Sequence, residues 1–460
     1  MEREGTPGAR EGATIAPRRR RFRQFRPFPR PHVGHHLPRE LRASRVGRLA
    51  ATFADGLRDP RFEALLSRID AAPVLGGNEV FPFFSGDDAF AAMCEAVGGA
   101  RHEVLLESYI FKNDATGRRF LEVLAAAAAR GATVRVLTDA VGSFSTGAGF
   151  WREMERRGIA VRIFHPLISE LWYQPFRDHR KILVVDRRVG FTGGMNIGAE
   201  YGSIPSSGKR RRRLTRRRAG APAAPPPPEG SITWRDTHLR VIGPTAWEMA
   251  TVFEEGWLRA GGRRLELEPL PAAAAEAPGA RILVLDARHR RGYRETAAAM
   301  AALLGAARRS VWVSNAYFAP GHQAIRLLCE TARRGIDVRL LLQGKTDSAV
   351  VRHAGHGNFD RLLACGVRIF EYQGSILHAK CMVADEHASV VGSTNLDFRS
   401  FVFNAECNLV VLDADLGRRM AEAFRRDLEQ STEVDPAAWH RRGLAHKLGD
   451  RAARLLSPVL

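Results

Sequence analysis

Two stretches of the 460-residue chain repeat one arrangement of ionisable side chains. The first is His179-Arg180-Lys181 with Asp186 five residues on, then Gly193, Gly194 and Asn196. The second is His378-Ala379-Lys380 with Asp385, then Gly392, Ser393 and Asn395. Both read His-x-Lys-x4-Asp-x6-Gly-[Gly/Ser]-x-Asn, and the copies lie 199 residues apart. Cleaving a phosphodiester at neutral pH needs a nucleophile, a proton donor for the leaving oxygen, and cations on the phosphoryl oxygens. Two histidines, two lysines and two asparagines supply that set: a neutral imidazole attacks, a protonated one donates, and the lysines and asparagines hold the phosphate. Histidine suits both roles because its reference pKa of about 6.5 lets small local effects fix either state. With two lysines supplying the charge, neither a metal nor another cofactor is required.

Side chains spaced in this way need a scaffold that delivers them together. His and Lys alternate with apolar residues as a strand demands, so the pair shares one strand face. Around the first motif, strand patterns at 103–110, 133–137 and 161–164 alternate with helical patterns at 120–130 and 150–157. Around the second, strands at 310–314 and 338–342 alternate with helices at 324–333 and 359–364. Gly131 and Gly335, 204 residues apart, close corresponding helices. The expectation is an α/β fold of two duplicated halves, with a composite site at their interface. The halves are expected at 77–260 and 281–435, joined by a linker at 261–280. A disordered basic tail (1–38) and a helical segment (39–76) precede them, and a basic amphipathic helix (436–460) follows. Residues 203–232 run through arginine clusters into Pro225–Pro228 and read as a solvated insertion.

These paired motifs resemble the HKD motifs of the phospholipase D superfamily, and the resemblance covers roughly residues 77–435. It implies a two-step displacement through a phosphohistidine. The nucleophile would be His179 and the acid/base His378, or the reverse, since the site is nearly symmetric. It also implies a carboxylate on the other nitrogen of each imidazole. Glu406 falls 28 residues after His378, and Asp236 falls 57 after His179, an offset of 28 once about 29 inserted residues are removed. Asp186 and Asp385 are then left a more structural part, ion-paired near the strand end.

Segments around the motifs are similar to bacterial cardiolipin synthases of the short form: Glu107–Phe111, Trp234–Arg240 with Gly243-Pro244, Asn315–Pro320 and Phe370–Tyr372. Gly194 departs from the pattern, since a serine often sits there. The implied reaction moves a phosphatidyl group from one phosphatidylglycerol to another and releases glycerol, with phosphatidylethanolamine as an alternative partner. An apolar entrance made by Leu167, Ile168, Leu171, Trp172, Tyr173 and Phe176 would favour transfer over hydrolysis; packing in the domain core is the competing reading of these residues.

Composition bears on the partner. Seventy Lys+Arg against 50 Asp+Glu leave a formal charge of +20, which calls for an anionic partner. A nuclease with the same motif would meet that demand too. The absence of an aromatic-rich stacking surface argues against nucleic acid and for an anionic membrane surface. A hydrolytic phospholipase D, with water as acceptor, uses the same residues and stays open. No stretch reaches the ~18 apolar residues of a membrane span, and the basic N-terminus has no apolar run behind it. The five scattered cysteines fit a reducing compartment. Peripheral attachment on the cytoplasmic side is therefore expected. The candidate anchor is the C-terminal segment, where Leu444, Leu448, Ala452, Leu455, Leu456 and Val459 share helical spacing with Arg441, Arg442, Lys447, Arg451 and Arg454 between them. The same stripe would equally suit docking on the protein's own core.

Overall fold

The computed structural model describes residues 14–15, 46–69, 72–166, 176–202, 234–287 and 292–455. Apart from Thr14–Ile15, which pair antiparallel with Leu270–Pro271, the basic tail lies outside them, as do the arginine/proline insertion and five of the six expected entrance residues.

The first half contains β1 (Leu75–Phe83), β2 (Glu103–Ser108), β3 (Thr133–Asp139), β4 (Ile159–Phe164), β5 (Lys181–Val185), β6 (Val189–Gly193) and β7 (His238–Ile242). The second contains β8 (Ala280–Ala287), β9 (Ser310–Asn315), β10 (Asp337–Lys345), β11 (Arg368–Ile376), β12 (Lys380–Ala384), β13 (Ala388–Gly392), β14 (Glu406–Leu412) and β15 (Ser431–Glu433). All fifteen join one sheet in the order β15-β11-β10-β9-β12-β13-β14-β8-β1-β7-β6-β5-β2-β3-β4. Read outward from the β8–β1 seam, the two sides repeat: β1-β7-β6-β5-β2-β3-β4 matches β8-β14-β13-β12-β9-β10-β11. The duplication expected from the motifs is therefore a duplication of strand order.

Helices cover the sheet: α1 (Gly86–Gly98), α2 (Ala115–Ala129), α3 (Ala148–Arg156) and α4 (Pro244–Arg259), then α5 (Gly292–Ala306), α6 (His322–Arg333), α7 (Ala349–His356), α8 (Phe359–Ala364), α9 (Ala414–Glu429) and α10 (Leu444–Leu455). Local chemistry sets their ends. Asp114 caps α2 by accepting from Gly117 N at 3.0 Å, and Gly131, at φ +98°, takes the left-handed turn that starts the next strand. β2 and β5 are buried along their whole length and carry apolar runs at Val104–Leu106 and Ile182–Val185, because helices lie on the sheet.

Strand direction places the site. β2 is parallel to β3 and antiparallel to β5, with Ser108 opposite Lys181. The C-terminal ends of β2 and β3 therefore lie at the edge where His179 leads into β5. In the second half Asn315 opposes Lys380 and β10 runs parallel to β9, which puts the same edge at His378.

Candidate active site

Backbone pairing at that edge crosses from one half to the other. His179 N donates to Ala405 O at 2.9 Å, and Ala405 N to Arg177 O at 2.8 Å. Symmetrically, His378 N donates to Arg235 O at 2.7 Å, and Arg235 N to Ile376 O at 2.8 Å. Each histidine segment is thereby zipped to the carboxylate segment of the opposite half. Both oxygens of Glu406 lie 3.0 Å from His179 Nδ1, and Asp236 Oδ2 lies 2.7 Å from His378 Nδ1. Counting each carboxylate from the histidine of its own half gives the wrong pairing: the partnership is exchanged, because the seam brings the two strand ends face to face. The long first offset also has a local reason, since Trp234 N donates to Glu200 O at 2.9 Å and brings the two flanks of the insertion together.

With Nδ1 of each ring held by a carboxylate, Nε2 is the nitrogen left to meet a phosphorus atom or a leaving oxygen. Lys181 and Lys380 are buried beside them. Lys181 Nζ donates to His179 O at 2.6 Å. Lys380 Nζ donates to His378 O and lies 2.9 Å from His378 Nδ1.

Burial and mutual repulsion govern the charges. Burial, with the two lysines adding to it, holds His179 well below the usual imidazole range. The same causes, led by burial and Lys380, bring His378 down to about 4 against the pull of Asp236. Burial also lowers Lys181 to about 7 and Lys380 to about 8. The two carboxylates part company. Burial pushes Glu406 up to about 8, with Lys181 pulling back. Asp236 is drawn below the ordinary carboxylate range by His378 and Lys380, which together outweigh burial. The His378 side therefore carries a fixed negative charge and the His179 side a largely neutral acid.

The asparagines differ. Asn196 accepts from Ile110 N at 3.1 Å and donates to the Tyr201 hydroxyl at 2.6 Å. Asn395 is buried, and among the described residues its Oδ1 has no hydrogen-bond partner.

Asp186 and Asp385 take the structural place at the strand end that the sequence suggests, but among the described residues backbone N–H groups hold them rather than the expected ion pairs. Each opens the three-residue hairpin connection at the far end of its strand, at φ 50° and 52°, and caps backbone N–H groups. Asp186 accepts from the N–H groups of Arg101, His102 and Glu103 at 2.8–2.9 Å. Asp385 does the same for Arg308, Arg309 and Ser310 at 2.7–2.9 Å.

Gly194 also finds its reason. A Cβ there would fall 2.1 Å from Asp236 Oδ1. In the second half, where the carboxylate is the longer Glu406, that position carries Ser393. The sequence singled out the segments bearing Tyr109, Trp234 and Tyr317 without assigning their rings a place. Tyr109 lies edge-on to His179 with centroids 4.9 Å apart. Trp234, Tyr201 and Tyr317 surround His378 at 4.8, 5.4 and 6.2 Å. Of the expected entrance residues, Phe176 is described; it is buried and packs on Phe403.

Duplicated strand order and a shared two-histidine, two-lysine site define an enzyme of the phospholipase D class. A family model described as "Cardiolipin synthase, PLD-like domain" matches residues 93–201 and 300–428, and the chain belongs to that family as a phosphatidyltransferase. Cardiolipin synthase 2 of Bacillus cereus is 32% identical over 412 residues, covering 88% of this chain and 76% of the relative. A cardiolipin synthase of Geobacillus thermodenitrificans is 31% identical over 401 residues, covering 86% and 75%. Among solved structures, phosphatidylserine synthase of Haemophilus influenzae shares the fold, with a TM-score of 0.62 at 12% identity, covering 87% of this chain and all of that one.

Proposed function

We propose that this chain makes cardiolipin by transferring a phosphatidyl group between two phosphatidylglycerol molecules. The observation that carries the proposal is the crosswise pair of His–carboxylate contacts, which brings two imidazoles and two lysines from both halves to one edge of the sheet. The Nε2 lone pair of His179 attacks the phosphorus, and the P–O bond to the glycerol headgroup breaks. His378 Nε2–H gives its proton to the departing oxygen, leaving a phosphatidyl group on His179. In the second step His378 takes the proton from a hydroxyl of the acceptor lipid. That oxygen attacks phosphorus, the N–P bond breaks, and both histidines are restored. Lys181 and Lys380 neutralise the phosphoryl oxygens throughout. The asymmetry of the carboxylates supports this allocation. Ionised Asp236 suits the imidazole that must become a cation, and near-neutral Glu406 suits the one that must stay neutral to attack. His378 takes up its proton when the phosphodiester anion offsets the lysines that otherwise hold it neutral.

We place this activity at the cytoplasmic surface of an anionic membrane, with phosphatidylglycerol as donor and acceptor. The +20 charge and the free state of all five cysteines support that setting. Among the described residues no helix is long and apolar enough to cross a membrane, which is compatible with peripheral attachment.

The test is product analysis on phosphatidylglycerol vesicles with EDTA present. Cardiolipin and glycerol from the wild type, and neither from His179→Ala or His378→Ala, is the expected result. Phosphatidic acid as the sole product would make water the acceptor and overturn the transfer reading.

A further inference from the structure

Seven large apolar side chains are exposed among the described residues: Phe81, Val141, Phe144, Val350, Leu444, Leu448 and Leu455. Scattered, they would need no account. Six of them, however, sit on elements that a chain of contacts connects to the catalytic histidines, two in the first half and four in the second.

In the first half the chain of contacts starts at His179. Its neighbour Tyr109 offers a carbonyl to Ser143 Oγ at 3.1 Å, and the same hydroxyl accepts from Phe111 N at 2.9 Å. Asp139, the last residue of β3, braces the loop by accepting from Val141 N and Gly142 N, and it also holds Asp178 N beside His179. On this fixed loop Phe144 is 75% exposed, with Val141 next to it. In the second half Tyr317, beside His378, donates its hydroxyl to Asp347 at 2.6 Å. Asp347 lies two residues before α7, whose second residue is the exposed Val350.

The C-terminal helix α10 extends this second rim, and it docks with its polar side inward. Asp450, the one buried residue of the helix, accepts from Arg442 at 2.9 Å and meets His353 of α7 at 2.8 Å. Its leucines turn outward: Leu444, Leu448 and Leu455 are 77%, 62% and 78% exposed. At about 100° per residue these three lie within about 40° of one another on the helix, with Arg451, Lys447 and Arg454 along one side of them. Docking on the protein's own core, the competing reading of this stripe, does not hold for the described leucines.

We propose that the active-site edge of the sheet is a bilayer-docking face. Val141 and Phe144 insert on one side, Val350 and the leucines of α10 on the other, and the basic residues of α10 meet anionic headgroups. A basic helix with solvent-facing leucines and long cationic side chains beside them matches an anionic interface, where the stems lie along the acyl boundary and the charges reach the phosphates. A lipid phosphate drawn from that plane reaches His179 and His378 without leaving the membrane surface. The inference rests on the transfer reading for the identity of the lipid, but the docking itself can be measured without turnover.

The experiment is co-sedimentation of the full chain with vesicles of phosphatidylcholine alone or mixed equally with phosphatidylglycerol. The wild type is compared with Leu444→Glu/Leu448→Glu and, separately, with Phe144→Asp. Each variant is expected to lose about tenfold or more in partitioning onto mixed vesicles. Each is also expected to turn over monomeric short-chain phosphatidylglycerol within about twofold of wild type, because none touches the reacting atoms. Variants that sediment with mixed vesicles as the wild type does would overturn the proposal. So would a wild-type dimer in lipid-free solution that the leucine substitutions dissociate, since the face would then belong to a second copy. Vesicle binding that depends on these residues, from a protein that never consumes phosphatidylglycerol, would keep the docking face and remove the transfer reading. Binding by His179→Ala at the wild-type level separates the two.

Discussion

At the residue scale, the two His–carboxylate contacts look alike in distance and differ in charge. Asp236 is held ionised while burial lifts Glu406 to about 8. A glutamine in place of a neutral glutamic acid keeps its shape and an acceptor for His179 Nδ1–H. An asparagine in place of ionised Asp236 removes the charge that supports an imidazolium. Glu406→Gln is therefore expected to keep kcat/KM within about tenfold, and Asp236→Asn to lose on the order of 10³-fold. Steady-state kinetics on mixed micelles checks the contrast, and equal losses would mean that both carboxylates are ionised. The lysines and histidines set a second expectation. Lys181 and Lys380, lowered to about 7 and about 8, carry their charges below those values and lose them above. His378 is neutral above about 4, and burial holds His179 well below the usual imidazole range. A pH profile of kcat/KM, which reports the free enzyme, should fall above about 4 as His378 loses the proton that the leaving oxygen needs, and more steeply above about 7 as Lys181 discharges. An alkaline optimum near 9 would contradict that ordering.

At the element scale, the motif's aspartates act on strands rather than on substrate. Asp186 and Asp385 each tie a hairpin turn to the first residues of the neighbouring strand, β2 or β9. Asp186→Ala leaves three N–H groups at the start of β2 without a carboxylate, costing about 2 kcal/mol of stability. Thermal unfolding should show the loss, while kcat at a temperature where the variant is folded stays near wild type. A fall in kcat without a change in melting temperature would return the residue to the chemistry. This division shows what the sequence could convey. The spacing from His to Asp is fixed by one strand and one turn, so it repeats in both copies and is legible. Whether that aspartate faces the phosphate or the strand end is decided by a left-handed turn at 186–187 and 385–386, which the motif pattern does not display. The exchange of carboxylates is illegible for a related reason: counting along the chain picks out Glu406 and Asp236, but their partners depend on how the two halves meet.

At the scale of the whole molecule, the halves are joined by more than the shared site. Between His179 and Lys181, Arg180 points away from the catalytic face and is buried with Asp286 of β8 at 2.6 Å, Glu107 of β2 at 3.6 Å and Glu255 of α4 at 3.9 Å. The equivalent residue in the second motif is Ala379, so this cluster breaks the internal symmetry and links one half to the other. The carboxylates outnumber the guanidinium. Burial raises Glu107 well above the usual range, with Asp178 adding to it, and raises Glu255 to about 8. Removing Arg180 would take the guanidinium from buried Glu107 and Asp286, while Glu255 keeps Arg259 at 2.7 Å, at a cost of about 3–5 kcal/mol. The sign of the pH dependence follows. Carboxyls whose folded pKa lies above the unfolded value of about 4.5 bind more protons in the fold, so stability falls as pH rises between those two values. Arg180→Ala raises the folded values further and widens that window. Its deficit in urea unfolding should be smallest near pH 5 and grow towards pH 8, where these groups would otherwise ionise. A deficit independent of pH would mean that Arg180 serves by filling space between the halves, and that the acids around it are neutral in the wild type already.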